Sequence, residues 1–194
     1  MALAMTPRLA LLIAAALSGA AACTRPERAA PRAPVESVDA YSVYDLGSTW
    51  RDQRGAERTL ASLRGRPQAV AMVYTHCTST CPLIIGELRR IAASTTAGIV
   101  LVSLDPERDT AGRLAAYAAE HDLDASRWTL LSGSDGDVRD LAATLGVRYR
   151  RLSAEELAHS NAITLLDADG AVVHQQATLA GTPETIRLAR RLAR

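Results

Sequence analysis

Apolar positions along this chain fall into short continuous runs separated by stretches with helical spacing, and that alternation predicts its layers. QAVAMVYT (68–75) is a continuous run bounded by RGRP and reads as a buried strand. LIIGELRRIAAS follows as a helix, with Leu83, Ile84, Leu88 and Ile91 at helical spacing and Pro82 suited to its first turn. GIVLVSLD (98–105) is a second buried strand, and TAGRLAAYAAEHD (110–122) a helix capped by Asp109 or Thr110. RWTLLSG predicts a third strand, and a helix from Ser134 or Asp135 runs through VRDLAATLG to Gly146. NAITLLD and AVVHQQAT flank ADG as a hairpin, and TPETIRLARRLAR is a final helix opened by Thr182 and Pro183. Upstream, residues 42–67 predict an added hairpin and a short helix.

Strands alternating with helices, then a hairpin and a helix, predict an α/β sheet with parallel crossovers and an antiparallel edge. This is the order of a thioredoxin-like fold, here with an N-terminal extension.

The first 37 residues read differently. LALLIAAAL (9–17) lies behind Arg8 and before the small residues of SGAAAC, the order of a secretory signal. It is too short for a permanent membrane span, which needs about 20 apolar residues. GAAAC resembles the lipobox of bacterial lipoproteins, with Ala20 where a leucine is usual, so Cys23 is the expected lipidation site. A plain secretory signal is the alternative. The expected organisation is a lipoprotein-type signal peptide over 1–22, a lipidated Cys23 with a Pro-, Ala- and Arg-rich tether over 23–37, and one domain over 38–194. Two acyl chains on Cys23 would give stable anchoring.

Charge narrows the function. With 22 basic and 21 acidic residues and a net charge of +1, the chain lacks the basic surface of a nucleic-acid binder. Export also permits disulfides to form and persist.

The chemistry concentrates in YTHCTSTCPLIIGEL (74–88), where Cys77 and Cys81 follow a strand and open a helix. A thiolate at a helix N-terminus is favoured by the free N–H groups and the dipole. Four residues of helix rise about 6 Å and put two side chains on one face, so the pair could close a disulfide or converge on one soft cation. A disulfide here would close only a short loop, which gives it little structural value. No fourth Cys or His stands at a structural-zinc spacing. Among the histidines, His76 is expected to point away from its neighbour Cys77, His121 ends a helix, and His174 lies in an edge strand. His159 sits in the loop entering the last hairpin, which in a thioredoxin-like fold comes up against the cysteine turn, and is the favoured third ligand.

These motifs, in order, resemble the Sco/SenC family of copper proteins that assist cytochrome c oxidase assembly. YTHCTSTCP matches its Cys-x-x-x-Cys-Pro turn, VSLDPERDT its Asp-Pro-x-Arg-Asp-Thr strand end, and AHSNAITLLDADG its histidine loop and hairpin. The resemblance covers roughly residues 41–194. It implies one copper, as Cu(I) or Cu(II), held by Cys77, Cys81 and His159. It further implies a membrane-tethered periplasmic domain that delivers copper to the dinuclear site of oxidase subunit II, or reduces that site's cysteines. Two departures stand out. Thr78, Ser79 and Thr80 replace the acid often found inside the cysteine turn, and Leu157 and Ala158 replace a Val-Asp pair, so no acid at 158 can orient His159. Asp105, Arg108 and Asp109 are expected to cap a helix and form an ion pair, with a supporting role at the site as the alternative.

Three activities therefore compete. One is copper chaperoning. The second is thiol–disulfide exchange, with Cys77 attacking and Cys81 resolving through a Cys77–Cys81 disulfide. The third, peroxiredoxin-like chemistry, is disfavoured by the spaced pair, the proline and His159.

Overall fold

Strands β3 (Gln68–Val73) and β4 (Gly98–Ser103) are buried at every position, and they form the centre around which the rest is layered. The computed structural model describes residues 41–194; the signal segment, Cys23 and the tether lie outside the described residues. β4 pairs in parallel with β3 on one side and with β5 (Trp128–Gly133) on the other. On β3's far side come β8 (Ile163–Leu166) and β9 (Val172–Gln176), both antiparallel to their neighbours. With β1 (Thr49–Asp52) and β2 (Glu57–Thr59) at one edge, the sheet order is β2-β1-β5-β4-β3-β8-β9, the expected parallel centre with an antiparallel edge.

The helices fall where the periodicity placed them. α1 (Cys81–Ser94) buries Ile84, Ile85, Leu88 and Ile91 against β3 and β4, and α4 (Thr182–Leu192) lies beside it. Each such aliphatic side chain contributes about 1.5–3 kcal/mol by leaving water. α2 (Ala111–Glu120) and α3 (Asp135–Thr144) pack on β5. Ser134 and Asp137 make a reciprocal capping box at the start of α3, and Gly146, at φ 63°, turns the chain out of it. Among the described residues no helix is long and apolar enough to cross a membrane.

The expected upstream hairpin of β1 and β2 is present and continuous with the main sheet, because β1 pairs with β5. Trp50 lies opposite Gly133 in that register, and its ring occupies the space a side chain at 133 would need. The histidine loop is more ordered than expected. β6 (Tyr149–Arg151) and β7 (Leu157–His159) form a separate two-stranded ribbon, with Tyr149 opposite His159. Three-residue strands are too short to show an alternation in sequence.

A Cβ at position 133 would stand 2.7 Å from the Trp50 ring, whose side chain is fully buried. Gly133→Ala should therefore destabilise the domain by roughly 1–3 kcal/mol. Thermal unfolding followed by circular dichroism should show the midpoint falling by several degrees, and an unchanged midpoint would refute this packing.

Candidate metal centre

β3 delivers Tyr74 and Thr75 to a tight turn, closed where the Cys77 N–H donates to the Tyr74 carbonyl at 3.2 Å. The turn ends at Thr80, the N-cap of α1, whose side chain makes no capping hydrogen bond. The sulfur of Cys77 takes that role: the Cys81 backbone N–H donates to it at 3.4 Å. This corrects the expectation of two cysteines on one helical face. Cys77 precedes the helix and lies over its end, and Cys81 is the first helical residue. Both are free thiols, with Cys77 7% exposed and Cys81 fully buried.

The third member arrives on the ribbon. His159 Nε2 stands 3.8 Å from Cys81 Sγ, and the three donor atoms all lie within 4.8 Å of one another. Nitrogen and sulfur donors at about 2.0–2.3 Å from a common cation are about 3.5–4 Å apart, so the group needs only a small closure to hold a soft metal. The imidazole is also correctly prepared. A backbone carbonyl can only accept, so Nδ1, 3.2 Å from the Ser160 carbonyl, carries the proton and leaves the Nε2 lone pair facing the sulfurs. The acid missing from position 158 is replaced by this main-chain acceptor.

Side chains remote in sequence hold the ribbon in place. The Tyr74 hydroxyl donates to the Leu157 carbonyl at 3.3 Å and accepts from the Leu157 N–H at 3.4 Å, while its ring meets His159 edge-on. Arg151 of β6 donates to the buried carboxylate of Asp105 at 2.8 Å, and Arg108 donates to the other oxygen. Burial opposes ionisation of Asp105, but the hydrogen bonds from Arg151 and Arg108 outweigh it and hold the carboxyl below its usual range.

Asp109 is the residue the sequence reading misplaced. Thr110 caps α2, its hydroxyl accepting from the Arg113 N–H. Asp109 is instead fully buried and accepts from the Thr75 N–H (3.1 Å), the Thr75 hydroxyl (2.5 Å) and the Ser103 hydroxyl (2.6 Å). It ties the ends of β3 and β4 together beneath the cysteine turn. The other histidines stay outside the cluster: His76 faces Thr75 and Asp109, His121 caps α2 against the Tyr117 ring, and His174 lies on edge strand β9.

The two thiols differ in acidity. Burial raises the Cys77 thiol, but hydrogen bonds from the Cys81 thiol, the Cys81 and Ser79 backbone N–H groups and the Ser79 hydroxyl outweigh it and bring it to about 5. Burial, then the hydrogen bond shared with Cys77, push Cys81 well up, so it keeps its proton. Ser79 and Thr80 place their hydroxyls 3.7 and 3.8 Å from the Cys77 sulfur, where a carboxylate would have repelled the thiolate.

Two measurements check this geometry. Iodoacetamide alkylation of the reduced, metal-free Cys23→Ala chain should be confined to Cys77, with a rate constant that is flat near neutrality and halves only as pH falls to about 5. A midpoint near the ordinary thiol value would refute the helix-end contact. Tyr74→Phe removes both hydrogen bonds to β7 and leaves a buried N–H unpaired, a loss of about 1–3 kcal/mol. Hydrogen exchange at Leu157 should accelerate in that variant, and unchanged protection would show that Tyr74 does not hold the ribbon.

Known proteins match this arrangement. The family model described as SCO1/SenC matches residues 44–194. The SCO1 protein homolog of Bacillus subtilis (strain 168) is 24% identical over 143 residues, covering 70% of this chain and 74% of that protein. The mitochondrial SCO2 homolog of Bos taurus is 28% identical over 173 residues, covering 82% of this chain and 64% of its own length. Among solved structures, Bradyrhizobium japonicum ScoI with copper bound superposes with a TM-score of 0.62 at 26% identity, covering 76% of this chain and 97% of that one. The match takes in the cysteine turn, the Asp-Pro-x-Arg-Asp-Thr segment and the histidine ribbon alike, and the chain belongs to the SCO1/SenC family.

Proposed function

We propose that this chain is a membrane-tethered copper chaperone that binds one copper ion through Cys77, Cys81 and His159. The observation that carries this reading is the convergence of two thiols and one correctly protonated imidazole within 4.8 Å. Two thiolates suit Cu(I), and the added imidazole extends the site to Cu(II). The copper-bound Bradyrhizobium relative supports the same cargo. The signal-like segment and Cys23 would hold the domain on the periplasmic side of a bacterial membrane. Its acceptor there would be the dinuclear copper site of cytochrome c oxidase subunit II, or another cuproprotein.

A second reading rests on the unequal thiols. Cys77, ionised and the more exposed, is built to attack a disulfide; Cys81, protonated and buried, is built to resolve the mixed disulfide. Attack by the Cys77 thiolate breaks the partner's disulfide and frees one partner sulfur. Cys81 then loses its proton, bonds to Cys77 and releases the second, leaving a Cys77–Cys81 disulfide and a reduced partner. Such a step would prepare an oxidase site for copper, so the two roles are compatible.

Anaerobic titration with Cu(I) and Cu(II) tests the first reading. One equivalent should bind tightly, and His159→Ala should lower Cu(II) affinity by more than the roughly 10–100-fold that loss of an outer-shell partner costs. Unchanged Cu(II) binding in that variant, or no tight copper binding in the parent, would sink the copper site as drawn. Loading near neutral pH should also release about one proton per copper, from Cys81, because Cys77 is already ionised. Calorimetry in buffers of different ionisation enthalpy reads that number, and a value near two would show that Cys77 is protonated in the free protein. For the second reading, a Cys77→Ser chain that still reduced a disulfide partner at full rate would exclude the mechanism.

A further inference from the structure

The end of the sheet opposite the thiols is rimmed with arginine. β3, β4 and β5 begin there and α1 ends there. Arg127 donates to the carbonyls of Ala92, Thr95 and Ala97, Arg190 to that of Ser94, and Arg66 reaches that of Ser126 at 3.5 Å. Beside them a cleft of about 360 Å³ is lined by Arg54, Arg58, Arg64 and Arg66. α4 brings exposed Arg190, Arg191 and Arg194 to the same end.

Part of this charge is neutralised within the fold. Asp52 takes Arg58 and Arg54, and Asp45 and Asp169 take Arg64. Arg66, Arg191 and Arg194 make no ion pair among the described residues. They are exposed guanidinium groups with no side-chain carboxylate paired to them, and guanidinium matches phosphate in shape and charge.

The chain also enters the domain at this end. Ser42 pairs with Ala171 and donates its hydroxyl to the Asp169 carbonyl. Arg64 donates to that same carbonyl, and the Gly65 N–H to that of Ala168. The point at which the described chain begins is therefore on the rim's side of the domain. The thiols lie at the far end of β3, about 20 Å away by the length of a six-residue strand.

We propose that this arginine rim docks on an anionic lipid bilayer and holds the domain with Cys77, Cys81 and His159 facing away from the membrane. The inference rests on the reading of residues 1–37 as an export signal and anchored tether. On that reading the Pro-, Ala- and Arg-rich tether over 23–37 would reach about 45 Å at about 3.1 Å per residue, so it would keep the domain close without orienting it. The rim supplies orientation at the high local concentration the tether creates. Each basic residue near an anionic surface strengthens partition roughly fivefold.

The test is partition of the full chain and of Cys23→Ala onto vesicles of phosphatidylcholine alone and of phosphatidylcholine mixed with phosphatidylglycerol. The apolar run at 9–17 contributes alike to both compositions and Arg8, Arg25, Arg28 and Arg32 add a constant anionic preference, so the change in the anionic-to-neutral ratio on rim substitution reports the rim. That ratio should be large in both chains and collapse at high salt. Combined Arg66→Ser, Arg191→Ser and Arg194→Ser should lower it about 100-fold. Lysine at the same three positions should preserve it, as should serine at Arg139, Arg148 and Arg150 near the other end. Equal partition onto the two compositions, or a ratio unmoved by the rim substitutions, would overturn the proposal. So would equal losses from both sets of serine substitutions, or retention on polyglutamate without preference for anionic vesicles, which would assign the rim to an acidic protein. Failure of the anchor shows separately, as equal attachment of the full chain and Cys23→Ala to neutral vesicles.

Discussion

The backbone N–H of Cys81 points at the sulfur of Cys77, and the chemistry of the site depends on that contact. A helix start leaves several N–H groups without partners, and an anion placed over them is stabilised by their combined field. Here the anion is a cysteine from the preceding turn. The same contact fixes where Cys77 lies and, with the larger hydrogen bond from the Cys81 thiol, makes it the ionised member, while burial keeps Cys81 neutral. Pro82 suits the arrangement because a residue at that point of a helix has no use for its own N–H.

The imidazole depends on a different set of constraints. β7 belongs to a ribbon that shares no strand pairing with the main sheet, so its position is set by side chains. Tyr74 comes from the end of β3 and Asp105 from just beyond β4. Both originate beside the cysteine turn, so the scaffold that places the sulfurs also places His159. Asp109, holding Thr75 and Ser103 together, keeps those two strand ends in register with each other.

Much of this was legible in the sequence. The central strands and four helices follow from continuous apolar runs, helical spacing and the caps Thr110 and Ser134, because these signals are local. Cys77, Cys81 and His159 were legible as a set only through their order alongside other motifs, since the spacing of two cysteines leaves several chemistries open. What escaped is non-local. Asp109 reads as a cap because it stands next to one, and its partner Thr75 lies 34 residues away. Arg151 reaches Asp105 across 46 positions. The Ser160 carbonyl that sets the tautomer of His159 belongs to the backbone, and no residue type announces it.

The ribbon's independence from the main sheet has a consequence for how a metal could leave. Both sulfurs are bolted to a strand–helix junction inside the core, whereas the imidazole hangs on a strap tied by one phenol, one ion pair and the packing of Leu157 and Tyr149 against the core. None of these ties is a strand pairing, so loosening them would withdraw the nitrogen without unpairing a single strand of the central sheet. The centre thus divides into a fixed jaw and a movable one, and a partner that grips the strap could open the jaw while the rest of the domain stays folded.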